Sequence, residues 1–392
     1  MGLSMKRYFS KEMNSQNFEI NAAEGGIFTW AEPDEISISI YKYEIPEFSD
    51  ATMERIYGSI FSIPSKFKID ENSANTNTYI VRKGNQIISF FLFSYENKTI
   101  RVINEVIPIS RVDIHRFADS IFKTYRSAAV ILFHAIETER CMLPFPFQLF
   151  NCLEDIVLTL PNTPEKYMAN LGKNMRESIK RYTVKINKDF PSFQHLFYEK
   201  NEIDEQYIRD IVRLSSARME IKKQLSAHSD EKTAELIRMV KMYGVVSIAM
   251  IGGKICGGVI CCRVGTNFFM HVVAHDPLYD HYRLGKICCY LSIRGAIERG
   301  GNEYHFLWGR YDYKFGFMGV QRNLYNLVIY RSRMQLIFNT NVALKFLFKG
   351  YGRRVKQWML DGSRRNCNVC RLSIKIFDRM RRLGGMYRRS NN

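Results

Sequence analysis

The chain has 392 residues, 46% of them apolar and 24% charged, which suits two folded domains of ordinary size, each able to bury a core. Its formal charge of +18 is uneven: residues 331–392 hold 16 Lys or Arg against 2 Asp or Glu, a net +14, leaving +4 for the rest. A membrane span is excluded, since the nearest window, Val245 to Cys262, holds Lys254 and two Gly pairs and reads as a buried hairpin. The first residues lack a charged-then-apolar secretion signal, and Lys6 stands where myristoylation at Gly2 wants Ser or Thr.

In chain order, residues 1–34 are polar and without sustained periodicity, and read as a loosely ordered arm. A first α/β unit occupies 35–152. Strands are expected at Thr78–Lys83, Gln86–Phe93 and Lys98–Asn104, separated by turns at Gly84-Asn85 and Glu96-Asn97. Ser110 and Asp113 make a capping-box-like start to a helix whose apolar residues Ile114, Phe117, Ala118, Ile121 and Phe122 share one face. An apolar strand, Ala128–Phe133, follows.

A second unit, 153–330, repeats that order after connecting helices that begin at Thr163-Pro164 and span Asp204–Met219 and Asp230–Met242. Strands are expected at Val245–Met250, Lys254–Arg263 and Asn267–Val273, then a helix from Gly285 to Arg299 closed by Gly300-Gly301, then a strand Tyr304–Trp308. The fold class is therefore α/β, two tandem units of mostly antiparallel mixed sheet flanked by helices, followed by a basic helical tail at 331–392. Nine cysteines, with adjacent pairs at Cys261-Cys262 and Cys288-Cys289, read as small core residues in a reducing, cytoplasmic setting. Cys367 and Cys370 form one CxxC with no second pair, so no metal is expected.

The segment richest in chemistry is Tyr282-Arg283-Leu284-Gly285-Lys286, where the second unit's helix begins. A Gly there lets backbone amides approach a phosphate, the helix dipole favours the anion, and Arg283 and Lys286 add charge. The first unit has Asn104 to Ser110 (NEVIPIS) at the same place, with a Pro and no Gly, so only the second is equipped for a phosphorylated cofactor. Arg176, Lys180 and Arg181 share one helix face, either solvated or set to meet an acidic or phosphorylated acceptor. His271 lies within an apolar strand and reads as a core histidine.

This strand order with a phosphate-binding turn resembles the GNAT acyltransferases. Residues 153–330 more closely resemble the acetyltransferase domain of cellulose- and exopolysaccharide-biosynthesis proteins, which is akin to the Fem-type peptidyltransferases. The resemblance rests on Lys173 to Arg181 (KNMRESIKR), on His275-Asp276-Pro277 through Arg283-Leu284-Gly285, and on Phe306 to Lys314 (FLWGRYDYK). The family usually carries an acid in the strand before that last Gly, where this chain has His305 or Phe306. The resemblance implies acetyl-CoA or another acyl-CoA as donor and an amine as acceptor. It places the pantetheine arm along the third strand, at Val272 and Val273, and the pyrophosphate over Arg283, Leu284, Gly285 and Lys286. It implies His275 and Asp276 as base candidates, Tyr313 as proton donor to the thiolate, and Lys314 as oxyanion stabiliser or holder of an anionic substrate.

Three functions follow as expectations. The first is N-acylation of a small-molecule or glycan amine in a cell-envelope or exopolysaccharide precursor. The second keeps the fold and takes an aminoacyl group from tRNA, the one route to a nucleic-acid partner. The third is a non-catalytic scaffold in polysaccharide synthesis. In the tail, Val369, Leu372, Ile376, Phe377, Met380 and Leu383 form an apolar stripe flanked by Arg and Lys. Such a helix fits an anionic membrane surface, here the inner face, or docks on the body.

Overall fold

The computed structural model describes residues 27–32, 36–65, 75–139, 142–221 and 230–364. The apolar stripe of 369–383, the Cys367 and Cys370 pair and residues 1–26 lie outside the described residues.

Within the described residues, the first unit comprises β1 (Ile27–Glu32), β2 (Ile36–Tyr41), α1 (Ser49–Tyr57), β3 (Thr76–Lys83), β4 (Gln86–Glu96), β5 (Thr99–Val102), α2 (Arg111–Thr124) and β6 (Val130–Ile136). β7 (Phe147–Thr159) runs through residue 152, where the sequence divides the units. The second unit continues with α3 (Pro164–Asn170), α4 (Lys173–Asp189), β8 (Gln194–Glu199), α5 (Glu205–Ile221), α6 (Asp230–Tyr243), β9 (Gly244–Ile251), β10 (Lys254–Val264) and β11 (Asn267–His275). A 3-10 turn (Pro277–Tyr282), α7 (Leu284–Glu298), β12 (Glu303–His305), α8 (Asp312–Gly316), β13 (Val320–Tyr330), α9 (Arg333–Phe338) and α10 (Thr340–Arg364) complete it.

These strands form a single sheet in the order β1-β2-β3-β4-β5-β6-β13-β7-β12-β11-β10-β9-β8. The duplicated unit is real: antiparallel β3-β4-β5 and β9-β10-β11 are each followed by a helix and then a parallel strand, β6 or β12. What fuses the units is β13, which lies antiparallel between β6 and β7. β1 corrects one expectation, because residues 27–32 of the supposed arm form an edge strand paired with β2. β12 is also shorter than expected, since the chain leaves the sheet after His305.

Local chemistry explains the helices. Ser110 caps α2 by accepting from the Asp113 amide at 3.1 Å, and Thr163 caps α3 by accepting from Lys166 N at 3.2 Å. The apolar face of α2 fills the first unit's core against β3, β4 and β6. The second unit has a core on each sheet face, one under α4 and α7 and one under α5 and α6. Gly257 and Gly258 in β10 permit both: a Cβ on Gly258 would meet Ile211 of α5 at 2.6 Å, and one on Gly257 would meet Cys288 of α7 at 3.0 Å. Cys256, Cys261, Cys262, Cys288 and Cys289 are buried thiols outside any disulfide, the small core residues expected of them. Among the described residues no helix is long and apolar enough to cross a membrane.

Candidate functional site

β11 and β12 pair over only three positions, Asn267↔Glu303, Phe268↔Tyr304 and Phe269↔His305, and then diverge. At the divergence β11 carries a bulge: Ile260 of β10 faces Val272 and Cys261 faces Met270, so His271 is the extra residue. Beyond it, no backbone hydrogen bond joins residues 270–275 to 306–311, and this edge of β11 stands open. The first unit begins the same way, with β5 and β6 paired from Thr99↔Val130 to Arg101↔Leu132. There the chain closes its own gap. Val106 N donates to Ala135 O, Glu137 N to Ile107 O and Ile109 N to Glu137 O, all at 2.8–2.9 Å, and the buried Asn104 side chain accepts from Leu92 N. The Pro-containing segment that sequence singled out as unfit for phosphate is thus a backbone plug. One splay is open and the other filled.

The open edge leads to the start of α7, where Arg283 sits in the left-handed region (φ 53°) as the residue before the helix. Gly285 is needed there for packing: a Cβ would meet the His275 ring at 2.7 and 2.8 Å. Around this helix end gather cations from two elements. Lys286 Nζ is 3.5 Å from Ser178 Oγ of α4, the exposed Arg283 and Arg181 both lower the Tyr182 phenol, and Lys185 lies over the Tyr282 ring at 4.9 Å. The helix end, its glycine and these side chains form the candidate anion site, a basic cluster at a helix N-terminus. Val272 is buried on the α5 and α6 side and Val273 half-buried toward α4 and α7, both on the open edge.

Several expected roles change with the geometry. His275 and Asp276 lie four and five residues past the bulge, about 13 Å along the strand, at the anion end. His275 is buried, with Nε2 2.6 Å from Asp280 Oδ1, and Asp276 caps the 3-10 turn by accepting from Leu278 N. They support the loop under Gly285 and are not placed as bases for an amine. Lys314 is 2% exposed, and its Nζ donates to the carbonyls of Phe306 (2.8 Å), Leu307 (3.0 Å) and Trp308 (2.5 Å). All three protons are spent, so it clamps the loop beside the splay and cannot also stabilise an oxyanion; burial lowers its pKa to about 8. Tyr313 packs on Phe306 and Tyr311, and burial raises its phenol pKa, keeping its proton for donation. Of the three α4 residues, Arg181 joins the anion site, Lys180 is exposed, and Arg176 is used by the Ala169 carbonyl at 2.9 Å.

A second cluster was not legible in the sequence. His305 stacks on Phe269 with ring centroids 4.3 Å apart, at the foot of the splay. Its Nδ1 is 2.6 Å from Asp155 Oδ2, and its Nε2 is 3.3 Å from Glu303 Oε2, an ion-pair contact outside hydrogen-bond alignment. Arg322 forks onto both oxygens of Glu303. Burial alone would lower the imidazole pKa, but the two carboxylates outweigh it and hold it above its ordinary value. The close contact from His305, with Arg322, depresses Glu303 to about 2. A group with a depressed folded pKa contributes stability above its unfolded value, lost as pH falls from about 4.5 toward 2. Glu303→Gln should therefore flatten the acid-unfolding curve across that window, removing roughly 3 kcal/mol; an unaltered curve by circular dichroism would deny the network this role.

Comparison with known proteins agrees with the architecture. Residues 173–315 match the model of the acetyltransferase (GNAT) domain family. The crystal structure of FemX superposes with a TM-score of 0.53 at 9% identity, covering 75% of this chain and 98% of that one. The structure of L-PGS from Bacillus licheniformis gives 0.47 at 12% identity, covering 78% and 97%. No curated protein matches the chain. The matched segment runs from the basic helix α4 to the Lys314 clamp and encloses the open splay and the anion site. The second unit thus matches the acetyltransferase (GNAT) domain model over residues 173–315, and the repeat of its strand order in the first gives the chain a tandem GNAT-like fold.

Proposed function

We propose that the chain is an acyl-CoA-dependent N-acyltransferase with one working donor site, in the second unit. The observation that carries this is the asymmetry of the two splays: β11 keeps an open edge ending at a basic helix start, and the first unit's gap is plugged. Acyl-CoA, when bound, supplies an activated thioester. The chain's own residues have separate tasks. Backbone groups of Met270–Ala274 pair with the amides of the donor's arm as a further strand would. The Leu284 and Gly285 amides, with Arg283, Lys286 and Arg181, hold phosphates. The bulge at His271 turns backbone polar groups toward the acyl end, and Tyr313 is retained as proton donor to the departing sulfur. Calorimetry with acetyl-CoA tests this: one site per chain is expected, and binding only of aminoacyl-tRNA would move the Fem-like reading ahead. The amine of a cell-envelope or exopolysaccharide precursor remains the acceptor class proposed.

Membrane attachment through the C-terminal region forms part of the proposal. Met334, Ile337, Phe338, Phe348, Tyr351 and Trp358 of α9 and α10 are each at least 60% exposed, in the region carrying the +14 charge. Each Lys or Arg near an anionic surface contributes about 1 kcal/mol. Deleting residues 372–392 should release the protein from anionic vesicles, and salt should weaken attachment of the full chain. Equal pelleting of both forms in vesicle sedimentation would assign those residues a structural role.

A further inference from the structure

The Asp155–His305 cluster borders a cavity of about 260 Å³ that spans the centre of the sheet. One wall comes from the first unit's backbone plug (Val106, Pro108, Glu137), another from β7, β12 and β13, and residues 57–59 roof it. The roof is pinned on both sides. Asn267 Nδ2 donates to Gly58 O at 3.1 Å, and Ser62 Oγ to Glu105 O at 2.9 Å. An open groove of about 730 Å³ beside it shares Tyr57, Gly58, Asn267 and Glu303, so the cavity has an approach along the α1 side.

Two independent observations say what the cavity would hold. Asp155 is 1% exposed and lines it, yet among the described residues its Oδ1 has no hydrogen-bond partner, while Oδ2 is taken by His305. A buried carboxylate oxygen left without a donor is costly, by about 1–3 kcal/mol or more. The second is charge. The lining carries three carboxylates (Glu137, Asp155, Glu303) against Arg322 and His305. With the imidazole protonated one negative charge is left over, and with it neutral, two. Lys314, whose charge interacts with Asp155, spends its N–H groups on backbone carbonyls and does not line the cavity. A buried site with excess negative charge and a free acceptor oxygen is complementary to one cationic donor.

We propose that this cavity receives the primary ammonium group of the acyl acceptor, with Asp155 Oδ1 as its hydrogen-bond acceptor and the body of the acceptor in the adjoining groove. Phe269 and His305 wall the cavity and also mark the point where β11 and β12 part, so an amine seated here lies at the foot of the open splay. The naming of the ligand as acyl acceptor rests on the acyltransferase reading; the preference for an ammonium group does not.

The test is calorimetry on the full chain with ethanolamine, glucosamine and 1,4-diaminobutane, each paired with its hydroxyl counterpart: ethylene glycol, glucose and 1,4-butanediol. At least one amine should bind about tenfold or more tighter than its counterpart. Asp155→Asn should erase that preference, and Glu137→Gln, outside the ion-pair network, should reduce it even if the first variant folds poorly. Absence of amine binding, or a preference unchanged in both variants, overturns the proposal. Acetyl-CoA is titrated in parallel. Its binding without an amine preference defeats the ammonium site alone, and an amine preference without its binding defeats the acyltransferase reading alone.

Discussion

Gly285→Glu is expected to abolish acetyl-CoA binding while leaving the sheet intact. The new Cβ would start 2.7 Å from the His275 ring, which Asp280 holds in place, so the loop and helix start must shift. The carboxylate would then stand where the Leu284 and Gly285 amides point and repel phosphate. Hydrogen bonds to a charged group contribute ~1.5–3 kcal/mol each, so the loss of two weakens binding by roughly 100-fold or more. Gly285→Ala, which adds the clash without the charge, should fall between this variant and the parent. Calorimetry on folded proteins decides it, and unchanged affinity in the Glu variant would mean the donor site lies elsewhere.

Lys314→Ala is expected to lower the melting temperature as well as any turnover. Its ammonium donates to the carbonyls of Phe306, Leu307 and Trp308, which shape the loop beside the splay. Each buried acceptor left unsatisfied costs ~1–3 kcal/mol, partly offset by no longer burying a charge. A net loss of about 3 kcal/mol corresponds to about 4 °C in a chain of this size. Lys314→Met should behave alike, since both remove the donors. A melting temperature unchanged within a degree, with turnover lost, would restore Lys314 to the chemical role suggested by its sequence context.

The duplicated unit was legible because hairpin turns, helix faces and caps are local. Ser110, Thr163 and Gly300-Gly301 each mark a boundary within a few residues of its observed position. The basic helix start was legible for the same reason: Arg283 to Lys286 are consecutive. What stayed hidden depends on partners far along the chain. Asp155 meets His305 across 150 residues, and β13 enters between β6 and β7, pairings that no periodicity encodes. Lys314 was misread because a five-residue helix has too few positions to show which face is buried. His271 sits in an apolar run, and nothing in that run announces that β11 holds one residue more than β10 can match. Gly285 was singled out for phosphate approach, and the His275 ring that demands a glycine there is a tertiary contact the sequence does not show.

The central claim is that the donor lies along the open edge of β11 and nowhere on the first unit. Amide hydrogen exchange with and without acetyl-CoA reads both places at once. Binding should slow exchange at residues 270–274 and at 284–286, and leave 103–109 unchanged, since the amides of Ile103, Glu105, Val106 and Ile109 are already bonded within the first unit. Protection confined to 103–109, or none at β11 under saturating acetyl-CoA, would contradict it.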